Sequence, residues 1–92
     1  MLNDTIKALN DPIRRKILEL LKSGPMTVGE ILDNFNVTGA TLTHHLHLLR
    51  DADLVSSTKD GNKVIYEINT SVMEDVITWI SGLMKGSGHN EK

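Results

Sequence analysis

Residues 27–55, TVGEILDNFNVTGATLTHHLHLLRDADLV, spell two short amphipathic helices joined by a tight polar turn. Thr27 and Glu30 stand three apart, the spacing at which a hydroxyl and a carboxylate each accept the other residue's backbone N–H. They open a helix predicted to run through Phe35, with Val28, Ile31, Leu32 and Phe35 facing inward. Asn36-Val37 makes the turn, and Thr38 caps the next helix. There Leu42, Leu46 and Leu49 fall at i, i+4 and i+7, a stripe that fastens the helix to a core. Gly39, Ala40, Thr43, His44 and His47 are left largely on the outward face.

The flanks complete a pattern. Val55 to Thr58 and Val64 to Ile68 read as strands, and Lys59–Lys63 between them carries an Asp-Gly turn signal, so the pair is a hairpin. Val64, Tyr66 and Ile68 alternate toward one face. Upstream, Leu2, Ile6 and Leu9 mark a short helix. Asp11 as N-cap and Pro12 as first residue then start a second through Lys22, burying Ile13, Ile17, Leu20 and Leu21. Ser23-Gly24-Pro25 stops it. Downstream, Ser71 and Glu74 repeat the capping-box spacing and open a last helix to about Lys85, apolar at Val72, Val76, Trp79, Ile80 and Leu83. The expected fold is mainly α with a small β-hairpin wing: a winged helix-turn-helix of four helices, a hairpin and a fifth helix. One domain spans 1–85, and 86–92 reads as a flexible polar tail. The most frequent use of this architecture is reading DNA.

Bulk composition narrows the classes. Ninety-two residues make one small domain, near the size at which a lone core is only modestly stabilising. With no cysteine, disulfide staples and thiolate metal sites are excluded, so oligomerisation is the expected additional stabiliser. No apolar run approaches the ~18 residues a membrane span needs, and the opening MLNDTIKALND lacks a signal peptide's basic-then-apolar order. A cytoplasmic location is expected. The net charge of −2 runs against the usual basic footprint of nucleic-acid binders, so a DNA reader must gather its cations on one face. Catalysis has no foothold: there is no cysteine nucleophile, no glycine-rich phosphate loop and no serine in a strand-to-helix elbow.

Three stretches resemble the bacterial ArsR/SmtB group of small winged-helix repressors, over roughly residues 1–85: Asp11-Pro12-Ile13-Arg14-Arg15-Lys16-Ile17-Leu18, Thr43-His44-His45-Leu46, and Leu49-Arg50-Asp51-Ala52-Asp53-Leu54-Val55. The last departs from the group, which commonly has glycine where Asp53 stands. That position ends the helix in a left-handed conformation, which Asp tolerates less well than Gly. The resemblance implies a repressor that binds double-stranded DNA as a homodimer, takes no small-molecule substrate, and is relieved by a membrane or protein anti-repressor. Its metal-sensing members use a cysteine pair on the third helix, or an Asp-x-His pair with further His or Glu on the last. Here the third helix reads Val28-Gly29-Glu30-Ile31-Leu32 and the last has Asp75 without a histidine, so neither set is present and no metal or other cofactor is expected.

The candidate DNA-reading residues are Thr38, Gly39, Ala40, Thr41, Thr43, His44, His45 and His47 on the fourth helix, and Lys59, Asn62 and Lys63 at the wing. Gly39 and Ala40 permit close approach of the backbone, while Thr41 and Thr43 offer a hydroxyl and a methyl suited to a phosphate or a thymine methyl. His44 and His47 share a face at i, i+3. His45 lies nearer the leucine stripe and reads first as a half-buried histidine bonded to a neighbouring carbonyl; the resemblance adds a phosphate contact. Arg14 and Arg15 are candidates for backbone positioning only. Leu2, Ile6, Leu9, Val76, Ile77, Trp79, Ile80, Leu83 and Met84 exceed what so small a core covers and form the expected dimer interface. Two other functions fit the same fold: a protein–protein module kept off DNA by its acidic charge, and a ligand- or metal-responsive switch.

Overall fold

The computed structural model describes residues 2–90, with side chains over residues 3–84. The element order is α1 (Leu2–Leu9), α2 (Pro12–Leu21), β1 (Met26–Thr27), α3 (Val28–Leu32), α4 (Gly39–Asp51), β2 (Val55–Asp60), β3 (Lys63–Ile68) and α5 (Thr70–Asn90). It is a winged helix-turn-helix.

Local chemistry sets most boundaries where the sequence predicts them. The Asp11 carboxylate, on extended backbone, accepts the N–H groups of Ile13 (2.8 Å) and Arg14 (3.1 Å) and so starts α2. Thr27 and Glu30 form the reciprocal capping box at α3, and Thr38 accepts the Thr41 N–H at 3.1 Å to open α4. The third helix is shorter than predicted. It ends at Leu32, and the N–H groups of Asn34 and Phe35 turn back to carbonyls three residues earlier while the Asn34 amide takes the Glu30 carbonyl. An asparagine side chain that satisfies backbone itself favours helix ends over interiors.

The sheet has a third strand that the sequence does not announce. β1 is two residues long, too short to show alternation, yet it pairs antiparallel with β3 through Met26↔Tyr66 and Thr27↔Ile65, giving the order β1-β3-β2. The wing is thereby anchored at the start of α3. Its strands also extend further than predicted: Asp60↔Lys63 is paired, so the turn is only Gly61-Asn62, with Gly61 at φ 63°. Lys59 therefore stands on β2 rather than in the loop.

Ile17, Ile31, Leu42, Leu46, Leu49 and Leu54 are completely shielded and, with Leu18, Leu21, Val55 and Tyr66, form the core. Each such side chain contributes about 1.5–3 kcal/mol relative to exposure. Leu18 is buried although the sequence points to Leu20, which is only half-buried, as is Ile13. α4 closes on a left-handed residue as expected: Asp53 has φ 60°, its N–H reaches the Arg50 carbonyl (2.9 Å), and the Leu54 N–H reaches the Leu49 carbonyl (3.0 Å).

α5 begins at Thr70, so Ser71 lies inside its first turn instead of capping it. The Asn69 N–H is tied to the Leu54 carbonyl at 2.9 Å, and the Asn69 carbonyl accepts from Met73, which fixes Asn69 as the point of entry. The helix continues to Asn90, past the expected end near Lys85, and so takes in His89, which the sequence places in the tail and leaves out of the last helix; Gly86 and Gly88 weaken a helix without breaking it as proline would. The last two residues of the expected tail, 91–92, lie outside the described residues. Val72 and Met73 pack on the core, whereas Ile77, Trp79, Ile80, Leu83 and Met84 are all open to solvent. The molecule is elongated, 56 × 24 × 22 Å.

Candidate nucleic-acid interface

The outward face of α4 and the wing meet in a groove of about 520 Å³. Thr43, His47 and Arg50 line it from α4, Asn62, Lys63, Val64 and Tyr66 from the wing, and Thr27, Val28 and Gly29 from the start of α3. The groove brings Thr43, His47, Asn62 and Lys63 together across some 20 residues of sequence. Arg50 is the site residue that sequence reasoning missed. A signal was there: Thr43, His47 and Arg50 stand at i, i+4 and i+7, a polar stripe beside the leucine one.

Carboxylates are absent from this lining, which carries Arg50, Lys63 and His47. Three of the twelve acidic residues line two adjoining clefts elsewhere, Asp4 and Asp51 both of them and Asp53 one. A chain of net charge −2 thus keeps a cationic groove. Glu30 adjoins the lining residue Gly29. The Thr27 backbone N–H holds its carboxyl below the usual range, helped by the Thr27 side chain and, more weakly, by the charge of Lys63.

The remaining candidates are distributed around the groove. Thr38, Gly39, Ala40 and Thr41 form the exposed first turn of α4. The Thr38 hydroxyl accepts from the Thr41 N–H and donates to the Thr41 hydroxyl (3.0 Å), which leaves the Thr41 proton free to point outward. A methyl at Gly39 would meet only the Leu32 Cδ2, at 3.9 Å, so the fold itself has no need of glycine there. His44 and Lys59 are exposed outside the groove lining.

His45 turns the other way. It is half-buried, and its Nδ1 lies 3.1 Å from the Arg14 Nη1. Its partner is thus a guanidinium rather than the carbonyl expected. Arg14 and Arg15 are likewise engaged at home. Arg14 donates through Nε to the Ala8 carbonyl (2.7 Å) and through Nη2 to Lys7 (3.1 Å), and Arg15 to Leu9 (2.8 Å). Together they satisfy the last carbonyls of α1, where cations also suit the helix dipole. Asp11 sits beside this cluster. Partial burial pushes its carboxyl up, but the Arg14 and Ile13 N–H groups and the Arg14 charge outweigh that and leave it lowered.

Of the apolar residues assigned to an interface, Ile6, Ile77, Trp79, Ile80, Leu83 and Met84 are between 45% and 70% exposed, so they do not cover one another within the chain. Leu9 and Val76 are half-buried, and the Leu2 side chain lies outside the described ones. Among the described residues, no helix is long and apolar enough to cross a membrane, and no group of three or more His, Cys, Asp or Glu is placed to hold a metal ion.

Comparison with known proteins gives one family. The model described as bacterial regulatory protein, arsR family, matches residues 11–57. The chain is 43% identical over 79 residues to the transcriptional repressor SdpR of Bacillus subtilis (strain 168), covering 86% of this chain and 88% of that one. It is 38% identical over 76 residues to the arsenical resistance operon repressor of Staphylococcus aureus, covering 83% and 73% respectively. Among solved structures, the crystal structure of an ArsR family transcriptional regulator superposes with a TM-score of 0.87 at 30% identity, over 91% and 92% of the two chains. At 23% identity, a homodimeric winged helix-turn-helix DNA-binding domain from Mycobacterium bovis shares the fold, with a TM-score of 0.74 over 91% of this chain and 78% of that one.

Proposed function

Because this chain belongs to the arsR family of bacterial regulatory proteins, we propose that it is a cytoplasmic, sequence-specific transcriptional repressor that binds double-stranded DNA as a homodimer. The observation that carries this is the carboxylate-free groove in which Thr43, His47 and Arg50 of α4 face Asn62 and Lys63 of the wing. A helix of this kind enters the major groove by its N-terminal turn, and the wing takes the flanking backbone, where cations gain from released counterions. Gly39 and Ala40 are small where the phosphates or base edges would press closest, and no neighbour among the described residues requires glycine at position 39.

The dimer is formed through Ile6 of α1 and the exposed row of α5, which buries an apolar face that a monomer would leave in water. It sets two reading helices about one DNA turn apart on a pseudo-palindromic operator, and repression is by occlusion of polymerase. Relief by a membrane or protein anti-repressor is assigned by resemblance alone.

Fluorescence anisotropy of the chain on its own promoter DNA, against scrambled DNA at two salt concentrations, tests the reading. Tight, sequence-preferring binding that weakens steeply with salt is expected. Thr43→Ala and His44→Ala should each weaken it by roughly 5-fold or more, one contact's worth, with fold and dimer intact. Unchanged binding by both would sink the site assignment.

A further inference from the structure

We propose that Arg14 is a positioning residue for DNA reading: its guanidinium straps α4 to α1 and so fixes the pose of the reading helix against the dimer helix. This rests on the repressor reading above. The three bonds of Arg14 reach two different elements: the Ala8 and Lys7 carbonyls at the end of α1, at 2.7 and 3.1 Å, and His45 Nδ1 on α4, at 3.1 Å. A guanidinium only donates, so Nδ1 must be the acceptor and the imidazole neutral, with its proton on Nε2.

Three observations give the strap its role. At eight residues, α1 is too short to hold its helix unaided, so its position depends on the packing of buried Thr5 and Ala8 and on what grips its end. Arg15 already grips the neighbouring Leu9 carbonyl, so end-capping alone does not call for the reach of Arg14 to α4. His45 is half-buried in the same turn of α4 as the candidate reading residues Thr43 and His44, so its contact ties that turn to the end of α1. A planar fork is what the arrangement demands: the three bonds leave three different nitrogens, whereas lysine's three N–H groups all sit on one. Three of its five guanidinium N–H groups are spent inside the chain, one from each nitrogen.

A double-mutant cycle in operator binding tests this, with Arg14→Lys, His45→Ala and the pair, each checked for dimer and melting temperature. Each single change is expected to weaken binding by roughly tenfold with the dimer retained, and the pair no more than the worse single, because they act as one unit. Effects that multiply would overturn the proposal, since independent DNA contacts by the two residues behave so. Long-range ¹H–¹⁵N NMR of the His45 ring in the unmutated, DNA-free chain is the arm that needs no variant to fold. A proton on Nε2 and a bare Nδ1 at neutral pH support the strap; a proton on Nδ1 removes it. If the unmutated chain binds no operator, it is the repressor reading that falls, while the NMR arm still judges the strap.

Discussion

In α4, Leu42, Leu46 and Leu49 recur at helical spacing and are sealed completely; in α5, Ile77, Ile80 and Met84 recur by the same rule and are 62%, 45% and 70% exposed. The two helices present the same signal to anyone reading the sequence. The difference lies in what surrounds them: α2, α3 and the sheet close over α4, while nothing among the described residues closes over the outer part of α5. Apolar periodicity therefore states that a face is to be covered, and is silent on whether the cover is intramolecular. Around α4 the fold is finished, with its caps and its sheet register; along α5 a surface is complete only in company.

The widest test of this contrast is to damage each stripe in turn. Leu46→Ala opens a cavity in a core without slack and should cost about 2–5 kcal/mol, lowering the melting temperature by at least ~10 °C. Ile80→Asp should leave the monomer's folded structure as it is and weaken self-association by about 100-fold, near 2.7 kcal/mol, because the dimer would bury an unpaired charge. Sedimentation equilibrium and far-UV circular dichroism read the two effects separately. Were Ile80→Asp to unfold the chain as Leu46→Ala does, the division between a finished core and an open helix would be wrong.

A finer test takes the local chemistry that makes the α2–α4 unit self-sufficient. Asp11 holds two N–H groups at the start of α2, and its carboxyl is lowered in the folded state. A lowered carboxyl stabilises the fold fully above its unfolded value near ~4, and the stabilisation is lost as pH falls through the lower folded value. Asp11→Asn keeps a neutral cap, so it should cost up to about 1 kcal/mol at pH 7 and nothing at acid pH, where the two melting curves converge. A gap that persists in acid would mean that the carboxylate charge is not what stabilises this corner.

These contrasts also explain what could be read in advance. Caps such as Asp11, Thr27 and Thr38 act within four residues, so their spacing alone revealed them. The leucine stripe of α4 was equally plain, since its period is set by the helix. β1 was hidden because two residues carry no period, and its partners Tyr66 and Ile65 are some 40 positions away. Ser71 misled because capping-box spacing does not see the bond from Asn69 to Leu54 that fixes the entry of α5. Of the candidate site, the α4 residues and the wing were legible one by one. Their convergence into one groove was not, nor was Arg50, whose place depends on how the wing folds back against α4. The engagement of Arg14 with α1 and His45 was invisible for the same reason: its partners lie 6, 7 and 31 residues away, on other helices.

Asp53 supplies the smallest and sharpest test, because it marks the seam between the two halves of the winged motif. Its φ of 60° is forced by the two bonds that close α4, from its own N–H to Arg50 and from Leu54 to Leu49. Leu54 is fully buried, so the chain cannot relax out of this turn without losing core. A β-carbon in the left-handed region costs about 1 kcal/mol, part of which glycine returns as unfolded-state entropy. Asp53 also lines a cleft with Asp4 and Asp51, whose like charges repel its own. Asp53→Gly should therefore stabilise the fold by about 0.5 kcal/mol, raising the denaturation midpoint at an unchanged slope and leaving operator affinity alone. A loss of stability would show that the aspartate side chain holds something at this turn, and that the seam is built by more than backbone geometry.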